Sequence, residues 1–221
     1  PRKVAGTTIE LKLSPFLEFG DYATPIEPHE EKLRTHKDGV TIGRITGKFK
    51  FGIPLRLRDH SSLRKAYFVL DQKVQNYFVI TACRNPWDRA LSQFFWSYRK
   101  RNILKEKFAI QKFEFNRFTK LYGPENWTNL FYGRKKQRNL NSSHLYSINN
   151  QISANFAIRY EYLEKDFLTL TKLLKLSKTI KTESFRAKSK FRPKKSKDWQ
   201  HFYDKDTIEL VRLCCSQEIQ T

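Results

Sequence analysis

The distribution of hydrophobic and polar residues in the first half of the chain is typical of a strand followed by a helix. The segment Tyr77 to Cys83 (YFVITAC) is apolar almost throughout, as in a parallel strand that is covered on both faces. Asn85 and Pro86 then provide a helix N-cap and a proline at the first helical position. Apolar residues recur after them at helical spacing, in one stripe formed by Ala90, Leu91, Phe94, Phe95 and Tyr98. The pattern predicts a buried strand that leads directly into an amphipathic helix.

The same order returns in the second half of the chain. The segment Asn155 to Tyr160 (NFAIRY) predicts a strand, and residues 161–176 predict a helix. The apolar positions of that helix are Leu163, Phe167, Leu170 and Leu174. A last helix is predicted from about Asp206 to Glu218, with one face formed by Ile208, Val211, Cys215 and Ile219. Repeated strand-then-helix units are typical of an α/β fold with a parallel sheet.

Composition adds a strong positive charge to this picture. The chain has 221 residues with 43 Lys and Arg against 22 Asp and Glu, a net charge of +21, and 39% hydrophobic residues provide material for a core. This length fits a single domain, residues 1–221, with basic surface loops near residues 133–138 and 186–197. A charge of this size favours polyanions or phosphorylated molecules as partners.

Two further features of the sequence concern the place of the protein in the cell. No run approaches the ~18–20 apolar residues of a membrane span. The three cysteines, Cys83, Cys214 and Cys215, are too few for a disulfide framework, and the adjacent two are unsuited to pair with each other. We interpret all three as reduced thiols, which predicts a cytoplasmic protein.

The first candidate site is the opening segment Lys3 to Thr8 (KVAGTT), which precedes a segment able to begin a helix. Backbone N–H groups at a helix N-terminus converge on one point, and the helix dipole and Lys3 both favour an anion there. The segment differs from the Walker pattern, because its Lys precedes the Gly. A phosphate-binding turn and an ordinary helix cap are both compatible with these residues.

The second candidate site is the segment Arg84 to Ser92 (RNPWDRALS), which leaves the predicted strand and enters the helix. Open α/β sheets bind ligands at the carboxyl ends of their strands, and a guanidinium can bind a phosphate through two hydrogen bonds. Ser92 would reach the same anion if the ligand lay along the helix. The alternative is that Arg84 pairs with a neighbouring acid such as Asp88.

Taken in order along the chain, these segments resemble the sulfotransferase superfamily, and in particular its carbohydrate-type and bacterial branch. The resemblance rests on residues 2–13 and 84–92, with further similarity over residues 20–34, 145–167 and 202–219. It implies a three-layer P-loop-like fold with a central parallel sheet flanked by helices. In the family a buried strand precedes the first loop, whereas this sequence begins inside that loop, so we expect the first strand to be truncated.

The resemblance also implies a co-substrate, PAPS (3′-phosphoadenosine 5′-phosphosulfate). The RKxAGTS/T loop of the family holds the 5′-phosphosulfate, and the RNPxDRxxS segment binds the 3′-phosphate. By position, Arg84 and Ser92 would bind the 3′-phosphate, and Lys3 would neutralise charge on the leaving phosphate. The residues implied for the 5′ end are Arg2, Lys3, Ala5, Gly6, Thr7 and Thr8. Two separate anion sites suit a ligand with phosphates at both ends, which favours PAPS over ATP.

Transfer to a hydroxyl is helped by a general base. We predict His60, because related bacterial sulfotransferases carry a His at this place before the corresponding helix, which Ser61 or Ser62 would cap. Glu30 or Glu31 is the next candidate, and His144 is the third. We expect no metal site, because the sequence has no His/Cys cluster with zinc spacing and fixed cations and dipoles can stabilise the moving charge.

The predicted function is therefore sulfuryl transfer from PAPS, in line, to a hydroxyl or an amine of a carbohydrate or small-molecule acceptor. The acceptor is not identified, although the net positive charge favours an anion. The alternatives are a basic nucleic-acid-binding protein, which the charge and the 14% aromatic residues motivate, and a P-loop kinase, which the missing Walker spacing disfavours. We predict no nucleic-acid partner.

Three remaining segments have open assignments. In the loop near residues 186–197, the side chains of Arg192, Lys194 and Lys195 would contact the 3′-phosphate or an anionic acceptor, or they are a solvated run of charge. The cluster at residues 134–138 is predicted to face solvent or acceptor. Tyr160 and Glu161 match a strand-to-helix junction of the family, where Glu161 supports the fold.

Overall fold

The structure is a computed structural model that describes residues 4–43, 45, 56–57, 60–70, 76–99, 102–122, 140–176 and 198–220. The chain divides into two compact units, which are treated separately below. The first unit contains residues 1–83 and 144–187, and the second contains residues 84–143 and 188–221. The single domain expected from the length of the chain stays a prediction.

The described residues form helices and short strands. The helices are α1 (Gly6–Leu13), α2 (Pro28–Glu31), α3 (Leu63–Leu70), α4 (Pro86–Tyr98), α5 (Phe108–Tyr122), α6 (Leu163–Leu173), α7 (Lys205–Cys214) and α8 (Ser216–Ile219). The strands are β1 (Tyr22–Ala23), β2 (Thr41–Ile42), β3 (Ile80–Cys83), β4 (Ser147–Ile148), β5 (Gln151–Ile152) and β6 (Phe156–Arg159). Pairs β1–β2 and β3–β6 are parallel, and β4–β5 is antiparallel. This mixture of helices and small parallel sheets is compatible with the predicted α/β class.

The parallel pair β3–β6 lies in the first unit, in the register Ile80 to Phe156 through Cys83 to Arg159. Both strands were predicted, but β3 is shorter than the apolar run suggested. Tyr77 is 57% exposed, so the expectation of a strand covered on both faces is wrong at this end. Just before the ladder begins, the side chain of Asn155 accepts the backbone N–H of Val79 (2.7 Å).

The hydrophobic core of the first unit surrounds β6 and α6. Buried residues of the sheet and of α6 pack together here with Val4, namely Ala82, Ile158, Leu163, Phe167 and Leu170. Three of the four apolar positions predicted for this helix are therefore in the core, and Leu174 packs against it. The helix begins later than predicted, because a 3₁₀ turn occupies Tyr160–Tyr162.

A buried carboxylate fixes the junction between β6 and α6. Asp166, in the first turn of α6, accepts the backbone N–H of Arg159 (2.7 Å) and two guanidinium hydrogen bonds, from Nε (2.9 Å) and Nη2 (2.6 Å). The Arg159 guanidinium also lies over the ring of Tyr162, 4.7 Å from its centroid. Burial alone would raise the pKa of Asp166, but the hydrogen bonds from Arg159 outweigh burial and lower it.

This lowered pKa predicts an acid-sensitive contribution to stability. A carboxyl whose folded pKa lies below its unfolded value of about 3.9 stabilises the fold above that pH and loses the contribution as pH falls through the folded pKa. We therefore expect Asp166→Asn to lower the urea midpoint at pH 7, and we expect its difference from wild type to shrink as the pH falls from about 4 through the lowered folded pKa. Urea titrations from pH 7 to pH 2.5 test this. Glu209→Gln, which breaks an exposed pair with Arg212, is the control and should have little effect at any pH. A deficit in Asp166→Asn that stays constant with pH would contradict the assignment.

The second unit is built from α4, α5 and α7 around an aromatic core. Its fully buried aromatic residues are Phe94, Phe95, Phe115, Phe118 and Phe202. Helix α4 begins as predicted, because the side chain of Asn85 accepts the N–H groups of Trp87 and Asp88, both at 3.1 Å. The predicted stripe is confirmed as well, since Ala90 and Leu91 are buried with Phe94 and Phe95, and Tyr98 packs against them.

The last predicted helix is two helices, α7 and α8, separated at Cys215. Val211 and Cys215 are buried as expected, but Ile208 is 40% exposed and Ile219 is also exposed, so the predicted face is wrong at both ends. Thr207 takes the core position instead of Ile208, because its hydroxyl bonds to Asn116 of α5 and to Asp204, the N-cap of α7. The break at Cys215 turns Ile219 away from the stripe.

Two indole rings stack in the second unit at the start of α4. The rings of Trp87 and Trp199 have centroids 5.7 Å apart and planes 18° apart. The indole N–H of Trp87 donates to the carbonyl of Ile208 (3.1 Å), and the hydroxyl of Tyr203 donates to the carbonyl of Trp87 (2.9 Å). The first turn of α4 is therefore held from two other segments of this unit.

An ion pair is buried inside the same unit. The side chains of Arg89 and Glu218 are each 3% exposed, with Nη1 and Oε2 2.5 Å apart. Arg89 also donates to the carbonyl of Leu140 and the hydroxyl of Ser142, and Glu218 accepts the N–H and hydroxyl of Ser142. Burial beside this pair raises the pKa of the Cys215 thiol to about 12. All three cysteines are free thiols, as predicted.

Candidate functional site

The opening turn leads into α1 as the sequence predicted. Ala5 is the N-cap residue, and the first bond within the helix runs from the N–H of Ile9 to the carbonyl of Ala5 (3.0 Å). No side chain caps this end among the described residues, and the N–H groups of the first turn belong to Gly6, Thr7 and Thr8. Such a helix start favours an anion. Arg2 and Lys3 lie outside the described residues.

The backbone of this turn is unusual at Ala5. Its φ of 64° and ψ of 23° are left-handed, which costs an L-residue other than Gly roughly 1–2 kcal/mol. A Cβ placed on Gly6 would meet nothing within 4 Å, so space is open beside the turn. Thr7 is half-buried, whereas Thr8 is buried with the core residue Val4. Strained backbone of this kind occurs often at ligand sites, and here it comes with the first-turn N–H groups of α1.

Arg84 follows β3 directly and is buried in the second unit, with a side chain only 7% exposed. Its Nε donates to Oδ2 of Asp88 (2.7 Å), and its Nη2 lies 2.5 Å from the same oxygen. The structure therefore shows the ion pair of Arg84 with Asp88, which the sequence predicted as the alternative to a phosphate contact. Ser92 is half-buried on α4, about 9 Å along the helix axis beyond Pro86 at 1.5 Å per residue. The turn at residues 4–8 belongs to the first unit, and Arg84 and Ser92 belong to the second.

Comparison with known proteins was made with family models, curated proteins and solved structures. A model described as the sulfotransferase family matches residues 45–215, more than half of the chain. The chain belongs to the sulfotransferase family. No curated protein and no solved structure matches it significantly.

The sulfotransferase match covers one of the two candidate anion sites. His60, Arg84 and Ser92 lie inside the matched residues, whereas the turn at residues 4–8 precedes them. The family assignment therefore supports a nucleotide donor and an acceptor in general. The roles of individual residues at either site stay predictions.

His60 lies in the first unit, exposed and directly before α3. Its φ of 59° is left-handed, as at Ala5. Ser62 caps α3, since its hydroxyl accepts the N–H of Lys65 (3.2 Å) and its carbonyl accepts the N–H of Ala66 (3.0 Å). Of the two serines that the sequence offered as the cap, Ser62 takes this role, and His60 is exposed.

The acidic candidates for the base, Glu30 and Glu31, lie in α2 of the first unit, and Glu31 belongs to a network around the buried guanidinium of Arg34. Glu31 accepts the N–H of Ile26 (2.9 Å) and pairs with Nε of Arg34 (2.6 Å). Arg34 also donates to the carbonyl of Thr24 (3.0 Å) and lies 3.5 Å from Glu10 of α1. This network ties α1 to the segment of residues 24–34, which favours a structural role for Glu31. Its neighbour Glu30 is buried.

The remaining predicted residues are placed as follows. His144 is exposed in a 3₁₀ turn, Tyr160 is half-buried and Glu161 is exposed. The basic segments 133–138 and 186–197, with Arg192, Lys194 and Lys195, lie outside the described residues. Among the described residues, no helix is long and apolar enough to cross a membrane.

One group of side chains has spacing that would suit a cation. Ligand atoms of Glu27, His29 and Glu30 lie within 4.8 Å of one another, and the first two residues are exposed. Acidic groups on a surface commonly have this spacing without an ion. The group therefore carries no argument for a metal.

Proposed function

We propose that the protein transfers a sulfuryl group from PAPS to a hydroxyl, or less readily an amine, of a carbohydrate or other small molecule. The observation that carries this proposal is the sulfotransferase match over residues 45–215, which includes the strand end and helix start at residues 83–92. The helix start at α1 and the buried guanidinium of Arg84 support it, because each is suited to bind a phosphate. We propose a three-layer P-loop-like fold in a single domain and a cytoplasmic location.

The proposed donor contacts use groups at both ends of the nucleotide. The N–H groups of Gly6, Thr7 and Thr8 bind the 5′-phosphate, with Ala5 setting the direction of the turn and Arg2 and Lys3 adding charge. Arg84 and Ser92 bind the 3′-phosphate. A ligand without a 3′-phosphate would lose the second set of contacts, which makes the 3′-phosphate the feature that sets donor specificity.

The proposed transfer is in line. The bond from sulfur to the 5′-phosphate oxygen breaks as a bond from sulfur to the acceptor oxygen forms, and His60 takes the proton that the acceptor hydroxyl loses. Lys3 and the N–H groups of the turn stabilise the negative charge that develops on the leaving phosphate. In this scheme cations and dipoles of the chain stabilise the charge of the transition state, and the general base accepts the proton of the acceptor hydroxyl.

Binding of adenosine 3′,5′-bisphosphate, the desulfated product, tests the proposal. Arg84→Ala is expected to weaken binding about 10- to 100-fold, since hydrogen bonds to charged groups contribute about 1.5–3 kcal/mol. Isothermal titration with the bisphosphate and with adenosine 5′-monophosphate measures this, and the monophosphate should bind both proteins equally. Arg212→Ala, which removes an exposed arginine of α7, is the control. Failure of the wild-type chain to bind the bisphosphate would reject the function.

The nucleic-acid alternative rests on the net charge and on the aromatic residues. Sequence-tolerant binding needs exposed aromatic rings among the cations. One group of aromatic residues is buried in the core of the second unit, whereas others, such as Phe19, Phe113 and Tyr162, are exposed. Steeply salt-dependent retention of DNA or RNA, with indifference to the bisphosphate, would favour that alternative.

A further inference from the structure

Arg84, the proposed contact for the 3′-phosphate, is paired with the carboxylate of Asp88. Both contacts, from Nε (2.7 Å) and Nη2 (2.5 Å), go to one oxygen, Oδ2. The two side chains are only 7% and 15% exposed. A guanidinium has five N–H donors in a fixed plane, so contacts at Nε and Nη2 fix one edge and the orientation of that plane.

Asp88 is itself held by the helix start. Its N–H donates to the Asn85 side chain (3.1 Å), and the N–H of Arg89 donates to the Asn85 carbonyl (2.8 Å). Pro86 fixes the backbone between Asn85 and the helix. Tyr203 and the carbonyl of Ile208 hold Trp87 in place. Arg84 is therefore attached to a rigid first turn rather than to a mobile side chain.

We propose that Asp88 is a positioning residue for the 3′-phosphate contact, a role that rests on the proposed function. By holding the Nε edge of Arg84, Asp88 orients the guanidinium before the nucleotide arrives. An arginine side chain has large rotamer entropy, so a prearranged one loses less on binding. In this role Asp88 acts through Arg84 and does not touch the nucleotide.

The test measures the binding of two nucleotides to wild type and to variants of Asp88 and Arg84. Asp88→Asn is expected to weaken binding of adenosine 3′,5′-bisphosphate about 3- to 10-fold, while adenosine 5′-monophosphate binds as in wild type. Asp88→Glu, which keeps the carboxylate, should recover part of the affinity. In the Arg84→Ala background, Asp88→Asn should have no further effect, because the group it positions is gone.

Asp206→Asn is the matched control, because Asp206 also lies in the first turn of a helix, α7, but is exposed. It should leave both affinities unchanged. Unchanged bisphosphate binding in Asp88→Asn would overturn the proposal. Tighter binding would overturn it as well and would assign Asp88 as a counter-ion that competes with the phosphate. Equal weakening of both nucleotides would overturn it too, since that is the result of a general disturbance of the helix. Absence of bisphosphate binding in wild type would instead reject the proposed function.

Discussion

Replacing Arg89 by methionine is expected to lower the free energy of unfolding of the second unit by about 3–5 kcal/mol. The methionine fills much of the same space but leaves the buried carboxylate of Glu218 without its cation. It also removes the donors to Leu140 and Ser142. Denaturation followed by near-ultraviolet circular dichroism, which reports the packed aromatic core, measures the loss.

Two comparisons isolate the buried pair. Arg212→Met breaks the exposed pair with Glu209, where Arg212 is 56% exposed, and should cost at most about 1 kcal/mol. The double variant Arg89→Met with Glu218→Leu removes both charges and should be more stable than Arg89→Met alone, because no unpaired charge is then buried. If Arg89→Met and Arg212→Met were equally stable, the buried network would have no special role.

Replacing His60 by asparagine is expected to slow sulfuryl transfer about 10²- to 10⁴-fold, the range typical of a lost general base. Asparagine is chosen because it tolerates the left-handed backbone at this position better than alanine does. Labelled-sulfate transfer to a panel of glycans and small alcohols measures the rate and identifies the acceptor at the same time. Binding of adenosine 3′,5′-bisphosphate should be unchanged, because the role proposed for His60 is at the acceptor.

His201→Asn is the control for this prediction, since His201 is exposed in the second unit and has no proposed role. His144→Asn and Glu30→Gln test the other candidates for the base. Full activity in His60→Asn with loss in either of those variants would move the base to the other residue.

The sequence predicts well where its signals are local. Asn85, Pro86 and the apolar stripe of α4 lie within fourteen residues of one another, and each contributes to the same helix. The pair of Arg84 with Asp88 is also local, one helical turn apart. At these positions the neighbouring residues favour the observed conformation, so a pattern in the sequence predicts it.

The sequence pattern did not predict contacts between residues that are distant in the sequence. Nothing near Arg89 indicates that its partner is Glu218, and nothing near Glu10 points to Arg34. Thr207 displaces Ile208 from the core because Asn116, on another helix, offers it an acceptor. Arg159 was also missed, although a carboxylate in the following helix turn, Asp166, is a signal that could have found it.

The candidate site also combines features that the sequence predicted with features that it did not predict. The helix after the opening turn was predicted from its residues, but the left-handed Ala5 was not, because alanine rarely adopts that conformation. The left-handed backbone of His60 was not predicted either.

The stacked indoles at the start of α4 give the chain a built-in optical reporter. Trp87 is only three residues from Arg84 and stacks on Trp199, so a nucleotide that contacts Arg84 would alter the surroundings of a fluorescent pair. Of the four tryptophans, only Trp96 and Trp127 lie outside this pair. Replacing those two by phenylalanine would leave emission that comes from the pair alone, and titrations could then be followed without any attached dye.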